Sequence, residues 1–312
     1  MAISLSVIIP CYNEEQLLAS CINSVLQQSN ELGPLGEVII AINGSTDRSL
    51  QIANSYKNNP IIKIILLREA NKKLAMNTAL DIAVNRYIIF FDADSILDND
   101  AISRVNMMLQ KNKYAIVGAI RRPIIDIDKV NVRFPETYFM LHYARRLSLK
   151  PKDRLSVQGW LMAIDMHKFH HLRFPLDNSP DDIWLSAHTW MNLGSQSIGY
   201  IPHAIGSYMP PLTMNDMEKQ LLRHRSNHKA VQKFHPELLP YFISRRAYYG
   251  TTKSNIRWRR TSETLGINFN VWIVRYRKFS SSIDEKIKLG QYKYGERPSW
   301  DRVSSTKLIN QK

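Results

Sequence analysis

Two aspartates one residue apart close the run Tyr87-Ile88-Ile89-Phe90-Phe91-Asp92-Ala93-Asp94. The apolar part has the length and composition of a buried strand, and such a strand has no use for two acids. Open α/β sheets, however, place their ligands at the carboxyl ends of parallel strands. Two carboxylates on a sharp turn there can hold a hard divalent cation, manganese or magnesium, and leave positions open for substrate phosphates. The plainer alternative is that Asp92 and Asp94 solvate the strand exit while Ser95 or Asp98 caps the next helix. A second acidic pair, Asp181-Asp182, precedes the helical pattern of Ile183, Leu185 and Met191. A helix N-terminus favours an ionised carboxylate, as a general base requires, and equally suits a simple cap.

The elements that position these acids are legible as strands and helices. Leu5-Ser6-Val7-Ile8-Ile9-Pro10 reads as a first strand broken by its proline, Glu37 to Ile42 as a second, Ile61 to Leu67 as a third and Tyr87 to Phe91 as a fourth. Helical spacing fills the gaps, over Glu14–Gln28, from Asn43-Gly44-Ser45 through Leu50, Ile52 and Ala53, and over Lys73–Val84. This alternation predicts an α/β fold with a mostly parallel sheet flanked by helices. After Asp94 the pattern predicts helices over Ala101–Leu109 and Val130–Leu149 and strands over Tyr114–Ile120 and Leu155–Ile164. From about Pro210 the chain is helical and basic, and from Ser280-Ser281-Ser282 it is polar and weakly patterned, as poorly ordered tails are.

The 312 residues are 44% hydrophobic, which excludes wholesale disorder, and no stretch approaches the roughly 18 uncharged apolar residues of a membrane-spanning helix. The N-terminus enters the first strand without the signature of a secretory leader. The two cysteines, Cys11 and Cys21, make neither a disulfide framework nor a zinc site, so a reducing, cytoplasmic compartment is expected. Net charge is +15 and lopsided: residues 1–210 carry 21 Lys and Arg against 19 Asp and Glu, residues 211–312 carry 21 against 8. The last third therefore predicts a basic face that attracts polyanions or an anionic membrane surface.

In a parallel sheet, strands one, two and four end on one edge. The residues there are Pro10-Cys11-Tyr12-Asn13-Glu14, Asn43-Gly44-Ser45-Thr46-Asp47 and Asp92-Ala93-Asp94. Together they suit a nucleotide: Tyr12 to stack on a base, Asn43 to bond base or ribose, a metal to hold a diphosphate, and Lys72 and Lys73 to add positive charge. Taken alone, Asn43-Gly44-Ser45 is ordinary turn and capping chemistry.

In this order the motifs Ser6-Val7-Ile8-Ile9-Pro10-Cys11-Tyr12-Asn13-Glu14, Asn43-Gly44-Ser45-Thr46-Asp47, Ala75-Met76-Asn77, Phe91-Asp92-Ala93-Asp94, Gly159-Trp160 and Asp181-Asp182-Ile183-Trp184-Leu185 resemble the inverting glycosyltransferases of family 2. The resemblance covers about residues 5 to 205. It implies the GT-A fold, with a nucleotide-sugar donor (a UDP-sugar first) bound within residues 1–95 and an acceptor and catalytic half over 96–210, followed by a basic helical extension over 211–312. It implies that Asp92 and Asp94 are the DxD motif binding Mn2+ or Mg2+, that Asp182 is the base with Asp181 in reserve, and that Pro10, Tyr12, Asn13, Glu14, Asn43, Lys73 and Arg223 contact the donor. The acceptor is a glycan or a lipid-linked sugar, as in polysaccharide or glycolipid synthesis. The chain departs from the family at Ile42, where an acid often stands, at Asn71-Lys72-Lys73-Leu74, which replaces a glycine-rich entry, and at His224. There Gln220-Leu221-Leu222-Arg223-His224-Arg225 resembles a Gln-x-x-Arg-Trp segment without its tryptophan, which argues against processive polymerisation.

Two rival readings remain. A nucleotidyltransferase also pairs carboxylates with magnesium, but Pro10 to Glu15 lacks the glycine-rich, basic signature such enzymes show. A nucleic-acid-binding protein is suggested by Arg257-Trp258-Arg259-Arg260 and Arg275-Tyr276-Arg277-Lys278. No recognisable nucleic-acid module surrounds them, and docking on the inner face of a membrane uses the same charge better. Trp258, Phe269, Trp272 and Ile273 either insert at that interface or pack the C-terminal helices. His167, His170, His171, His224 and His228 lack zinc-spaced partners and read as surface or packing residues.

Overall fold

The computed structural model describes residues 4–28, 35–130, 132–147, 156–249, 262 and 265–289. Its sheet is built from the apolar runs of the first hundred residues. Strands β1 (Leu5–Cys11), β2 (Leu35–Asn43), β3 (Ile62–Leu67) and β4 (Tyr87–Phe91) lie in the order β3-β2-β1-β4, all parallel. Every residue of β1 and β4 is buried, the pattern of strands covered on both faces. β3 stands at the edge and carries an exposed lysine, Lys63, a charge that discourages edge-to-edge pairing. The crossovers hold α1 (Leu18–Leu26), α2 (Ser49–Asn54) and α3 (Lys72–Ile82).

Beyond β4 the sheet continues through β7 (Leu161–Asp165), β6 (Ile116–Pro123), β8 (Ile198–Tyr208) and β5 (Ser95–Leu97). β7 runs antiparallel to β4 and to β6, and β5 antiparallel to β8. The sheet is therefore mixed: parallel over its first four strands, with reversals beyond them. α4 (Ala101–Gln110) and α6 (Asp181–Leu193) complete the elements of this unit, whose core cluster runs from Leu5 to Ile205. Apart from the last two residues of β6, these elements fall in one unit formed by residues 1–121, 151–177 and 181–208.

Several boundaries differ from the sequence expectation for local reasons. β1 is not broken at Pro10, which is buried and pairs with Ala41. Pairing with β4 already ends at Ile8, so the missing N–H of Pro10 costs no bond on that side. α1 starts at Leu18 after a turn over Glu15–Leu17, and α2 only at Ser49, because the loops before them are tied to each other. β7 starts at Leu161, since Gly159 and Trp160 form a turn.

Residues 122–150, 178–180 and 209–312 form the second unit. It contains α5 (Phe134–Leu147), α7 (Met214–Phe234), α8 (Leu239–Tyr249) and α9 (Phe269–Lys288). Phe269, Trp272 and Ile273 pack into its cluster with Tyr138, Phe139 and Met217, which settles them as packing residues. Trp272 stacks on Tyr276 at 5.1 Å between centroids. α9 continues through the triple serine instead of fraying there. Arg225 donates to the Ser280 carbonyl at 3.0 Å and to its hydroxyl, and pairs with Asp284. Arg257–Arg260, Trp258 included, lie outside the described residues.

Gly44 turns the chain after β2 at φ +66°, and a Cβ there would stand 2.7 Å from the Ala70 nitrogen. Gly44→Ala is expected to cost about 1–3 kcal/mol through the left-handed backbone and the clash. Urea unfolding should show a lower midpoint with an unchanged slope.

Candidate active site

The carboxyl ends of β1 and β2 are stitched together by short polar side chains. Asn13 lies at φ +50°, in the left-handed region that asparagine tolerates, and its Oδ1 accepts from Thr46 N at 2.6 Å. Asn13 N donates to Ser45 Oγ at 2.9 Å, Glu14 N to Ser49 Oγ at 2.7 Å and Glu15 N to Asp47 Oδ2 at 3.1 Å. Asn43 is buried and its Nδ2 donates to the Cys11 carbonyl at 2.8 Å. Sequence reading gave its amide to a base or ribose, but this donor is committed to the scaffold. Pro10 likewise sits buried within β1 instead of on the loop, and Tyr12 follows it, partly exposed.

At the end of β4 the acids and bases meet. Lys72, the first residue of α3, places its Nζ 2.8 Å from Asp92 Oδ1 and 2.9 Å from Asp181 Oδ2, the first residue of α6. Arg121, near the end of β6, pairs with Asp94 Oδ1 at 3.1 Å and also donates to Ser95 Oγ. Its guanidinium lies 4.2 Å from the centroid of the Tyr208 ring and 6.0 Å from that of Trp160, an arrangement favourable to the cation. Trp160 is buried, donates from Nε1 to the Ala119 carbonyl at 2.8 Å and packs edge-on against Phe91. Its own carbonyl accepts from Asp92 N at 2.9 Å, fixing the turn that follows β4.

Asp182 is turned away from simple capping. Its Oδ2 accepts from Gly159 N at 3.1 Å, on the turn before β7, and its Oδ1 from the neighbouring Ile183 N at 2.8 Å. Burial pushes its pKa up to about 6, Asp181 adds to the rise, and Lys72 and the two N–H donors oppose it. The helix terminus was expected to favour the charged form, and burial with a like-charged neighbour outweighs it. Burial also raises Asp92, against the pull of Lys72. Burial works the same way on Asp94, but Arg121 and the Ser95 hydroxyl prevail and hold its carboxyl below the usual range. Burial disfavours the Lys72 ammonium, yet Asp181 and Asp92 prevail and keep it protonated far above its ordinary value.

Among the described residues, no three His, Cys, Asp or Glu side chains form a metal-binding group. Manganese and magnesium need only one or two carboxylates when substrate phosphates complete the shell. Here Asp92, Asp94, Asp181 and Asp182 surround the cations Lys72 and Arg121. Asp92 and Asp94 offer the hard carboxylate oxygens that such a cation takes, each already facing a cationic side chain. Asp94, with 46% of its side chain exposed against 25% for Asp92, is the more accessible of the pair.

Sequence reasoning assigned a donor contact to Lys73, but the structure gives the carboxylate cluster to Lys72. Lys73 is buried and reaches Asp177 at 3.0 Å. Consecutive helix residues point about 100° apart, so composition could not choose between the two lysines. Arg121 was missed altogether. Its signal was available, for it is a charge at the end of the buried run Ala115–Ile120, the same pattern that drew attention to Asp92. Arg223 is an exposed residue of α7 in the second unit, and Arg225 beside it is committed to α9.

The mixed sheet flanked by helices is the GT-A fold of the solved glycosyltransferases it superposes on. The mannosyltransferase PcManGT of Pyrobaculum calidifontis, solved with GDP-Man and Mn2+, superposes with a TM-score of 0.55 at 17% identity, over 93% of this chain and 81% of that one. Glucosyl-3-phosphoglycerate synthase of Mycobacterium tuberculosis, solved with Mn2+, UDP and glucosyl-3-phosphoglycerate, superposes with a TM-score of 0.51 at 17% identity, over 74% of this chain and 79% of that one. Residues 6–192, more than half of the chain, match the family described as Glycosyl transferase family 2, and the protein belongs to that family. The uncharacterized glycosyltransferase EpsJ of Bacillus subtilis is 33% identical over 114 residues, 36% of this chain and 32% of that protein. The chain spans only 16% to 39% of the length of the curated relatives it matches.

A carboxylate whose folded pKa is about 6, against an ordinary 3.8, stabilises the fold while protonated. That contribution is full below the ordinary value and is lost as pH rises through about 6. Asp182→Asn removes the loss, so its melting midpoint should exceed that of the wild type by about 2–4 °C at pH 8, the shift that about 1 kcal/mol gives a domain of this size. At pH 4 no gain is expected; differential scanning calorimetry at the two pH values measures both.

Proposed function

We propose that this chain transfers a sugar from a nucleotide-sugar donor to a hydroxyl acceptor with inversion at the anomeric carbon, Asp182 acting as the base. The observation that carries this reading is Asp182 itself: a carboxylate at the start of α6, held by Gly159 N–H and raised to about 6. Such a group is ionised at neutral pH yet more basic than an ordinary carboxylate, which is the tuning a general base needs. In transfer the acceptor oxygen bonds to the anomeric carbon as the bond from that carbon to the leaving diphosphate breaks. The acceptor proton passes to Asp182. Lys72 and Arg121 supply positive charge beside the acids at the strand end.

Asp94, with Asp92, would hold Mn2+ or Mg2+ together with the donor diphosphate. When bound, the cation supplies charge neutralisation of the leaving group. The family, the relatives' chemistry and the hard-oxygen donor set support this assignment. UDP is the first candidate nucleotide, as in the mycobacterial neighbour solved with UDP and Mn2+. Tyr12, Asn13 and Glu14, on the loop after β1, are proposed to line the donor site, and Arg223 to contact the donor. The acceptor is proposed to be a glycan or lipid-linked sugar, met at an anionic membrane surface by the basic C-terminal third. No helix among the described residues is long and apolar enough to cross a membrane.

Thermal shift against UDP, GDP, CDP and dTDP, each with and without manganese, tests the donor site. One nucleotide should raise the midpoint in a manganese-dependent way, by about 2.7 kcal/mol of stabilisation at a hundredfold excess over Kd. Asp94→Ala should abolish the metal-dependent part. With the donor so identified, Asp182→Asn should lower kcat by about 10²–10⁴ while keeping nucleotide binding. Full activity in that variant would remove Asp182 from the base role.

A further inference from the structure

The positive charge of the chain sits almost wholly in the second unit. That unit holds 27 Lys and Arg against 11 Asp and Glu, a balance of +16, while the first unit holds 15 against 16. Helix α9 of the second unit divides its residues between two faces. Trp272, Tyr276 and Phe279 turn inward to the apolar cluster, the Tyr276 ring 5.1 Å from that of Trp272 and 6.1 Å from that of Tyr138. Val271, Val274, Arg275 and Lys278, spaced i, i+3, i+4 and i+7, share the other face, with Arg277 beside them. All five are exposed, Val271 by 51% and Val274 by 66%. The first acid of α9 is Asp284, and it is paired with Arg225. A cavity of about 290 Å³ adjoins the exposed face, lined by Val271 and Arg275 with Phe134, Ile267 and Trp272.

We infer that the exposed face of α9 is the surface by which this protein docks on an anionic lipid bilayer, Val271 and Val274 inserting at the interface and Arg275, Arg277 and Lys278 meeting lipid phosphates. This rests on the membrane reading proposed above and gives it to one face of one helix. Two aliphatic side chains ringed by cations suit the boundary between headgroups and acyl chains, where apolar burial and attraction to anionic lipid add together. The cavity supplies an apolar recess with a guanidinium in its wall, which matches the chain and the charged head of a lipid. Single-stranded nucleic acid asks for something else, aromatic platforms among the cations on which bases stack. The aromatic between Arg275 and Arg277 is Tyr276, and its ring is committed to Trp272 and Tyr138. A second copy of the chain would bring the same excess of positive charge to this face and be repelled.

The test is co-sedimentation of the full chain with vesicles of phosphatidylcholine alone and of phosphatidylcholine mixed with phosphatidylglycerol. The wild type should bind only the mixed vesicles, and less as salt rises. Each cation near an anionic surface contributes roughly fivefold, so Arg275→Gln/Arg277→Gln/Lys278→Gln should bind about a hundredfold more weakly. Val271→Ser/Val274→Ser keeps the charge and should still lose about tenfold or more, because insertion is lost. A third variant reads insertion directly. Cys11 and Cys21 are buried, so an environment-sensitive fluorophore on Val274→Cys reports from the face alone, and its emission should shift to the blue with mixed vesicles. A wild type that sediments while both multiple variants bind as tightly, with no blue shift from the label, overturns the inference and leaves docking to another part of the C-terminal third. A wild type that binds no mixed vesicles at low salt removes the membrane reading itself. A triple variant that loses binding to poly(U) while keeping its vesicle binding makes this a nucleic-acid surface and also overturns the inference.

Discussion

The structure turns on the ion cluster at the carboxyl end of β4, where Lys72 stands between Asp92 and Asp181. Carboxylates withdrawn from water carry a desolvation cost that only paired charge or hydrogen bonds offset. Lys72 and Arg121 pair with Asp92, Asp181 and Asp94, and Asp182 is met by backbone N–H groups instead. Burial first, with a like-charged neighbour behind it, raises Asp182 and Asp92. The proposed function draws on that condition, with a cation and diphosphate to be met by Asp92 and Asp94 and a proton to be taken by Asp182.

The rest of the first unit makes that cluster possible. Buried strands bring β1, β2 and β4 out on one edge, with β1 and β2 paired to Cys11↔Ile42 and β1 and β4 to Ile8↔Phe90. Serine, asparagine and aspartate side chains then bind the first two loops into one rigid rim. Reversal of β7 against β4 brings the Gly159–Trp160 turn to the same edge, where it supplies an N–H to Asp182 and a carbonyl to Asp92. The fold and the site thus share their hydrogen bonds, and a change in one is felt in the other.

Much of this was legible in the chain because period-two and period-3.6 patterning reports burial directly. The four parallel strands, the acids at the end of β4 and the acidic pair at the start of α6 all stood out as apolar runs meeting charge. What was not legible depended on geometry finer than periodicity. Lys72 and Lys73 differ by one helix step, and only the phase of α3 sends the first to Asp92 and the second to Asp177. Asn43 has the chemistry of a ligand contact, and burial beside the Cys11 carbonyl commits its Nδ2 there. Arg121 reaches Asp94 from β6, a strand whose neighbours in the sheet no local pattern could name.

The claim that these acids form a metal-dependent donor site is tested most directly by anomalous scattering from crystals soaked with UDP and manganese. The account predicts one manganese peak within about 2.0–2.4 Å of an Asp94 carboxylate oxygen and of the diphosphate, with Asp92 close behind. UDP bound on the same strand edge with no manganese at Asp94, or manganese held elsewhere, would contradict it.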